Sequence, residues 1–179
     1  MLERVMIFID GSNLYHSLKK IHGRTDLDIG RFCRQLLRRR SLIRIYYYNA
    51  KVGMKEEPER YRHQQVFFSG VSAIPYLEMR LGRLVYTNWP NVPPYEKGID
   101  VQLATDMLTH NFKNNYDVGI LVAGDSDFAG ALQAVKDNGK NVEVALFGKS
   151  NSSKQLRRVS DKVITINSRF LKGCWKSSN

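Results

Sequence analysis

The sequence predicts an α/β fold in which helices cover both faces of a mainly parallel sheet. Apolar stretches of strand length alternate along the 179 residues with stretches of helical periodicity. Several of the strand-like stretches are apolar throughout, which is typical of strands buried on both faces. The chain has the length of one ordinary domain, and no linker, repeat or low-complexity segment divides it.

The first half of the chain contains two predicted strands and three predicted helices. Residues 4–9 contain the apolar run 5–9 and are typical of a fully buried strand. Residues 12–20 and 28–40 carry apolar side chains at helical spacing. Residues 42–50 are rich in β-branched and aromatic side chains, as strands prefer. After a polar loop, the pattern of residues 59–72 predicts a third helix.

The second half continues this alternation. Residues 76–87 return to strand periodicity, and the three prolines of residues 88–95 predict a loop. An apolar stripe predicts a helix at residues 99–111. The strand at 117–123 precedes a helix at 126–138. The remaining elements are a strand at 142–147, a short basic helix at 152–159 and a strand at 162–166.

The net charge is the unusual feature of the composition. Lys and Arg outnumber Asp and Glu by 28 to 17, which gives a net charge of +11. Such an excess favours a polyanionic partner, nucleic acid first and an anionic membrane second. The alternative is a basic, solvated surface without a specific partner.

Other features of the composition argue against a membrane or secreted protein. No uncharged apolar run is long enough to span a bilayer. The first residues lead directly into a strand and do not resemble a secretory signal. Cys33 and Cys174 form neither a metal-ligand spacing nor a disulfide framework. We therefore expect a cytoplasmic protein with reduced thiols and no membrane partner.

Acidic residues gather where two predicted strands end. Asp10 ends the first strand, and Asp125 and Asp127 follow the strand at 117–123. In open parallel sheets ligands bind beyond the carboxyl ends of the strands, so both groups are expected on one edge. Carboxylates placed close together repel one another unless a cation holds them. The sequence therefore predicts a divalent-metal site at this edge.

The same residues have a structural alternative, because strand-to-helix turns need capping side chains. Asp10 or Ser12 would suit the first turn, and Asp125 or Ser126 the second. One side chain is enough for each cap, so capping does not account for all the acids. Asn13 lies in the first helical turn, where its amide is expected to point at a ligand held by Asp10.

Three further aspartates differ in their expected positions. Asp100 lies at or near the start of its helix, where a lone aspartate is more often a cap than a ligand. Asp106 lies further along the same helix and is expected to point to a different side. Asp117 lies just before its strand, so it is expected at the opposite edge of the sheet and solvated.

Three motifs stand in order along the chain. They are Phe-Ile-Asp-Gly-Ser-Asn-Leu at residues 8–14, Lys-Gly-Ile-Asp-Val-Gln-Leu-Ala-Thr-Asp-Met-Leu at 97–108 and Val-Ala-Gly-Asp-Ser-Asp-Phe at 122–128. Together they resemble the NYN domain, in the LabA-like branch of the PIN-like nuclease superfamily, over residues 4–166. The resemblance implies a three-layer α/β/α sandwich with a mainly parallel central sheet. It also implies one domain over residues 1–170, followed by a short C-terminal tail at 171–179.

An activity is implied as well, namely hydrolysis of RNA phosphodiester bonds with Mg²⁺ or Mn²⁺. By motif match the metal ligands and catalytic residues are Asp10, Asp100, Asp125 and Asp127, with Asn13 in support. Ala123 departs from the family, which often has Ser there, and this change is not expected to affect metal binding.

Basic residues near the predicted site are candidates for binding RNA, which is expected to be single-stranded. They are Lys97, Lys149, Lys154, Arg157 and Arg158. Arg38, Arg39 and Arg40 end a helix, where positive charge offsets the helix dipole, so they are interpreted as structural. Two other functions stay open. One is a non-catalytic RNA-binding or regulatory module, and the other is a metal-dependent phosphatase for small phosphoesters.

Overall fold

Strands and helices largely alternate along the chain, as the apolar pattern predicts. The computed structural model describes residues 2–148 and 154–176. Its strands are β1 (Arg4–Asp10), β2 (Ser41–Lys51), β3 (Leu77–Val85), β4 (Tyr95–Lys97), β5 (Val118–Val122), β6 (Asn141–Phe147) and β7 (Lys162–Ile166). Its helices are α1 (Gly11–His22), α2 (Ile29–Leu37), α3 (Pro58–Ser72), α4 (Ile99–Phe112), α5 (Ala129–Asp137) and α6 (Lys154–Val159). A 3₁₀ turn, Ser126–Phe128, leads into α5.

All these strands belong to one seven-stranded sheet in the order β4-β3-β2-β1-β5-β6-β7. Every pair of neighbouring strands in the described residues is parallel except β3 and β4, which are antiparallel. β1 lies at the centre, between β2 and β5. The predicted α/β class is therefore confirmed.

The apolar side chains of β1 point alternately to two separate clusters of buried residues. Val5, Ile7 and Ile9 belong to one cluster. Met6 and Phe8 belong to the other. Because successive side chains of a strand point to opposite faces, the two clusters lie on opposite faces of the sheet.

Each cluster receives residues from a different set of helices. The first face packs against Leu18 of α1, Phe32 of α2 and Val71 of α3. The second face packs against Leu103 of α4, Leu132 of α5 and Leu156 of α6. Burial of both faces explains why the central strands are apolar throughout rather than alternating. None of the helices in the described ranges is both long and apolar enough to cross a membrane.

Some predicted boundaries are wrong. The second helix ends at Leu37 rather than at residue 40, because Arg38 takes a positive φ of 56° that breaks the helix. The helix predicted at 126–138 starts with a 3₁₀ turn and becomes α-helical only at Ala129. The predicted loop at 88–95 is followed by β4, which was not predicted. Of the basic helix predicted at 152–159, the first two residues lie outside the described residues.

The segment after residue 170 packs against the helices of the first face. Leu171 and Cys174 are buried there. Trp175 pairs with Leu27 in an isolated bridge. Burial raises the pKa of the Cys33 and Cys174 thiols, both of which are free. Neither thiol is therefore suited to ligate a metal or to act as a nucleophile.

Candidate functional site

Two turns leave the sheet side by side at the carboxyl ends of β1 and β5. Ile9 pairs with Val122, so the residues that follow these two strands are neighbours. Asn13 joins the turns, because its side-chain Oδ1 accepts a hydrogen bond of 3.0 Å from the Gly124 backbone N–H. The predicted meeting of the two strand ends is thus found, and Asn13 fixes their separation.

Asp10 is the most buried acid of this edge. Its carboxylate is the N-cap of α1 and accepts a hydrogen bond of 2.9 Å from the Asn13 backbone N–H. The residue is only 7% exposed. Burial raises its pKa to about 6, and repulsion from Glu96 and Asp100 acts in the same direction, while the Asn13 hydrogen bond opposes both. Asp10 is therefore a buried carboxyl group close to other negative charges.

Asp125 and Asp127 occupy the second turn. Asp125 is the N-cap of the 3₁₀ turn and accepts a hydrogen bond of 3.0 Å from the Asp127 backbone N–H. The Asp127 side chain is exposed. Capping thus applies to Asp125, as it does to Asp10, but it leaves the charge of each carboxylate in place. Asp127 has no capping role.

Asp100 lies in the first turn of α4, as predicted from the sequence. Gly98 precedes the helix with a φ of 90°, a conformation that favours glycine. Partial burial raises the pKa of Asp100, and so does the negative charge of Asp125, Glu96 and Asp127. These effects indicate that Asp100 faces the two turns.

Glu96 is a fifth acid of the site, and the sequence did not indicate it. It lies in β4, where it pairs in register with Leu84 of β3. The Ser12 hydroxyl donates a hydrogen bond to its Oε1. Its charge raises the pKa of both Asp10 and Asp100. β4 therefore brings a carboxylate to the start of α1.

In the described ranges these acids have no ion-pair partner within 4.0 Å, although the chain carries 28 Lys and Arg. The unpaired acids are Asp10, Glu96, Asp100, Asp125 and Asp127. We refer to these five residues as the acidic edge. Of the twelve other Asp and Glu residues, nine form an ion pair, and the exceptions in the described ranges are Glu3, Glu56 and Asp137. The acidic edge thus holds negative charge that the protein does not neutralise.

Asp106 and Asp117 are two of the paired acids. Asp106 accepts a hydrogen bond of 2.9 Å from the Tyr48 hydroxyl and forms an ion pair with Arg80. Asp117 lies just before β5 at the opposite edge of the sheet, as predicted, but it is ion-paired and not only solvated. Its carboxylate forms an ion pair of 2.7 Å with Arg4 and a longer one with Lys140. The Arg4 hydrogen bonds lower the pKa of Asp117 to about 2.

The chemistry of the acidic edge fits a hard divalent cation. Its donors are carboxylate oxygens, which Mg²⁺ and Mn²⁺ prefer, and their mutual repulsion would be relieved by positive charge. Across residues 2–148 and 154–176, however, no three His, Cys, Asp or Glu side chains stand close enough together to hold a metal ion. The acids thus share one edge without forming a closed coordination group. Repulsion between unneutralised carboxylates favours such spacing.

The basic candidates flank this edge. Lys97 is exposed in β4, next to Glu96. Lys154, Arg157 and Arg158 belong to α6, which contacts the 3₁₀ turn that carries Asp127. Arg157 donates a hydrogen bond of 2.6 Å to the Gly148 carbonyl, which holds α6 to the end of β6. Lys149 lies outside the described residues.

The model of the NYN domain family matches residues 4–167. The chain therefore belongs to the NYN domain family. A comparison with curated proteins gives no match.

Solved structures add information on the fold. A protein of unknown function, VPA0982 from Vibrio parahaemolyticus, is 18% identical, with a TM-score of 0.69 over 93% of this chain and 94% of that one. MurG of Acinetobacter baumannii is 13% identical over 99% of this chain and 44% of its own, with a TM-score of 0.41. A putative oxidoreductase from Parabacteroides merdae is 13% identical over 92% of this chain and 31% of its own, with a TM-score of 0.35. Of these three, VPA0982 supports the fold, since its TM-score is above 0.5.

Proposed function

We propose that this protein is a metal-dependent ribonuclease of the PIN-like group, from the LabA-like branch, with a three-layer α/β/α architecture. The observation that carries the proposal is the acidic edge itself. Five acids without ion-pair partners in the described ranges lie together on a chain with a net charge of +11. Membership of the NYN domain family supports a nuclease.

Asp10, Asp100, Asp125 and Asp127 would hold one or two Mg²⁺ or Mn²⁺ ions. When bound, such an ion lowers the pKa of a water molecule and stabilises negative charge on the phosphoryl and leaving oxygens. Asp10 is suited to bind the cation tightly, because it is buried and its carboxylate is held at the start of α1. Asp127 is exposed, so it can also meet the substrate.

Two polar residues would set the geometry of these acids. Asn13 holds the β1 turn against the β5 turn through Gly124. Ser12 orients Glu96 by a hydrogen bond, so that Glu96 adds negative charge beside Asp10 and Asp100. Asn13 is thus a positioning residue whose side-chain oxygen is engaged with the backbone rather than free for a ligand.

Single-stranded RNA is the proposed substrate. Lys97, Lys154, Arg157 and Arg158 flank the acidic edge, and the sequence adds Lys149. Each contact between such a side chain and a phosphate would release counterions, so affinity is expected to fall as salt rises. These positively charged side chains would also attract the RNA phosphates and so offset their repulsion by the carboxylates of the acidic edge.

Cleavage of end-labelled single-stranded RNA tests the proposal. Wild type should cleave with Mn²⁺ and stop with chelator, and Asp127→Asn should lose most of the activity. Asp137→Asn is the matched control. Asp137 is exposed at the end of α5, away from the acidic edge, and accepts a hydrogen bond from the Gln133 side chain. Equal cleavage by wild type and Asp127→Asn would contradict the assignment.

A non-catalytic RNA-binding module is the second candidate. The observation that favours it is the lack of a closed metal-binding group in residues 2–148 and 154–176. The same experiment separates the two functions, because a module would bind the RNA with and without Mn²⁺ and leave it intact. Hydrolysis of a generic phosphomonoester, with RNA left uncut, would instead favour a small-molecule phosphatase.

A further inference from the structure

A basic cavity lies at the amino edge of the sheet, opposite the acidic edge. Its volume is about 560 Å³. The residues that line it are Glu3, Arg38, Arg39, Arg40, Glu143 and Lys162. Glu3 precedes β1, the three arginines lie between α2 and β2, and Glu143 and Lys162 are register partners near the starts of β6 and β7. This cavity is of a size that accommodates a small ligand or part of a larger one.

Arg40 and Glu143 form the inner wall of the cavity. Arg40 donates hydrogen bonds of 2.9 and 3.0 Å to the two Glu143 carboxylate oxygens. It also donates to the Leu36 and Leu37 carbonyls at the end of α2. The two side chains are only 13% and 9% exposed. Arg40 is therefore fully engaged, which agrees with the structural interpretation given to it from the sequence.

Arg38 and Arg39 differ from Arg40. Both are exposed, and neither has an ion-pair partner in the described part of the chain. Arg38 also has a φ of 56° and a ψ of −122°, a conformation that glycine adopts easily and arginine does not. Strain of this kind persists only where the surroundings enforce it, and it often marks a functional position. The chain thus keeps an arginine where a glycine would fit the backbone better.

The cavity lies in the most basic part of the chain. Residues 29–55 contain eight Lys and Arg and no Asp or Glu. Within the cavity, Glu143 is already paired with Arg40 and with Lys162, whose Nζ lies 3.1 Å from Glu143 Oε1. Only Glu3 remains to offset Arg38 and Arg39. The open side of the cavity is therefore positively charged, and its guanidinium groups suit the geometry of phosphate.

We propose that the cavity binds backbone phosphates of the RNA chain whose cleavage site lies at the acidic edge. This inference rests on the proposed ribonuclease function. Arg38 and Arg39 would contact the phosphates, Lys162 would contribute its charge, and Arg40 would hold the cavity in shape. The two edges are separated by the length of β1, six steps of about 3.3 Å or about 20 Å, so only an RNA longer than a dinucleotide could reach both.

The test compares Arg38→Gln/Arg39→Gln with wild type by fluorescence anisotropy of a long single-stranded RNA at several salt concentrations. Log affinity falls as log salt rises, and losing two phosphate contacts should make this slope less steep by about 1.4. Arg62→Gln/Arg169→Gln is the matched control, because it removes two exposed arginines outside the cavity and should not reproduce this change. Cleavage of a dinucleotide should stay unchanged in all three proteins.

Arg38→Gly provides an independent variant. Glycine relieves the strained backbone, so this variant should have a raised thermal midpoint and still bind the long RNA more weakly than wild type. The inference would be overturned if Arg38→Gln/Arg39→Gln had the same salt slope as the control, or if it lost as much dinucleotide cleavage as long-RNA binding. Either result would leave the ribonuclease proposal intact. Failure of the wild-type protein to bind any RNA would overturn both.

Discussion

The side-chain Oδ1 of Asn13 accepts a hydrogen bond of 3.0 Å from the Gly124 backbone N–H, 111 residues further along the chain. Asn13 lies in the first turn of α1, and its own backbone N–H is capped by Asp10. Gly124 lies in the turn that presents Asp125 and Asp127. One amide side chain thus ties together the two groups of acids that the sequence separates.

Replacement of Asn13 by alanine should loosen this connection. Alanine cannot accept the hydrogen bond from the Gly124 N–H. Because Gly124 is half-buried, we expect the free energy of unfolding to fall by about 1–2 kcal/mol. RNA cleavage should fall as well. Urea unfolding measures the first effect, with Gln65→Ala as a control on an exposed amide of α3. Unchanged stability in Asn13→Ala would mean that the hydrogen bond does not connect the turns.

Asp10→Asn should stabilise the protein in the absence of metal at neutral pH. The pKa of Asp10 is raised to about 6 by burial, from a usual value of 3.8. Between these values the folded chain keeps a proton that the unfolded chain releases, so wild-type stability falls as pH rises through this window. The variant lacks this loss and should be more stable at pH about 7.5 by up to about 3 kcal/mol.

The pH dependence supplies the control for this prediction. At pH about 4 Asp10 is protonated in the folded protein and is neutral like asparagine, so most of the difference should disappear. Thermal unfolding in chelator at both pH values measures it. An equal difference at the two pH values would indicate that charge on Asp10 is not its cause.

Glu96→Gln tests the acid contributed by β4. Glutamine can still accept the hydrogen bond from Ser12, but the negative charge beside Asp10 and Asp100 is lost. Because that charge raises the pKa of both aspartates, the titration midpoint of Asp10 followed by carboxyl NMR should fall below its wild-type value. Affinity for Mn²⁺ should fall by about tenfold.

Glu59→Gln is the matched control for this change, because Glu59 is an exposed glutamate of α3. Its removal should affect neither the Asp10 midpoint nor the Mn²⁺ affinity. If Glu96→Gln behaves like this control, Glu96 does not belong to the acidic edge.

Arg40→Gln should be strongly destabilising, whereas Arg39→Gln should change stability by less than about 0.5 kcal/mol. Loss of Arg40 leaves the buried Glu143 with Lys162 alone, which we expect to cost about 2–4 kcal/mol. Replacing both partners, in Arg40→Met/Glu143→Leu, should recover most of this loss. Urea unfolding measures all three variants, and equal stability of Arg40→Gln and Arg39→Gln would contradict the structural role of Arg40.

Much of the site could be predicted because strand ends are visible in the sequence. The apolar runs that end at Asp10 and before Asp125 are buried on both faces of the sheet, so their pattern is strong. Since parallel strands share their carboxyl edge, the two runs also predict that these acids are neighbours. Asp100 was predicted at a helix start, but its orientation toward the turns depends on how α4 packs on the sheet.

Glu96 could not be predicted, for a physical reason. β4 is three residues long and exposed, so it carries no apolar alternation that would distinguish it from the proline-rich loop before it. The hydrogen bond between Asn13 and Gly124 could not be predicted for a different reason. Its partner is the backbone N–H of Gly124, which lies 111 residues further along the chain in the turn after β5, and no local pattern reveals such a contact. The early end of α2 was missed because Arg38, and not glycine, takes the positive φ.

Binding of Mn²⁺, measured from the electron paramagnetic resonance signal of the free ion, tests the central claim most directly. The acidic edge is proposed to hold the cation, so wild type and Asp137→Asn should remove Mn²⁺ from solution with similar affinity. Asp10→Asn should bind it at least about tenfold more weakly, which corresponds to about 1.4 kcal/mol. Binding by Asp10→Asn with wild-type affinity, or no binding by wild type, would contradict the claim.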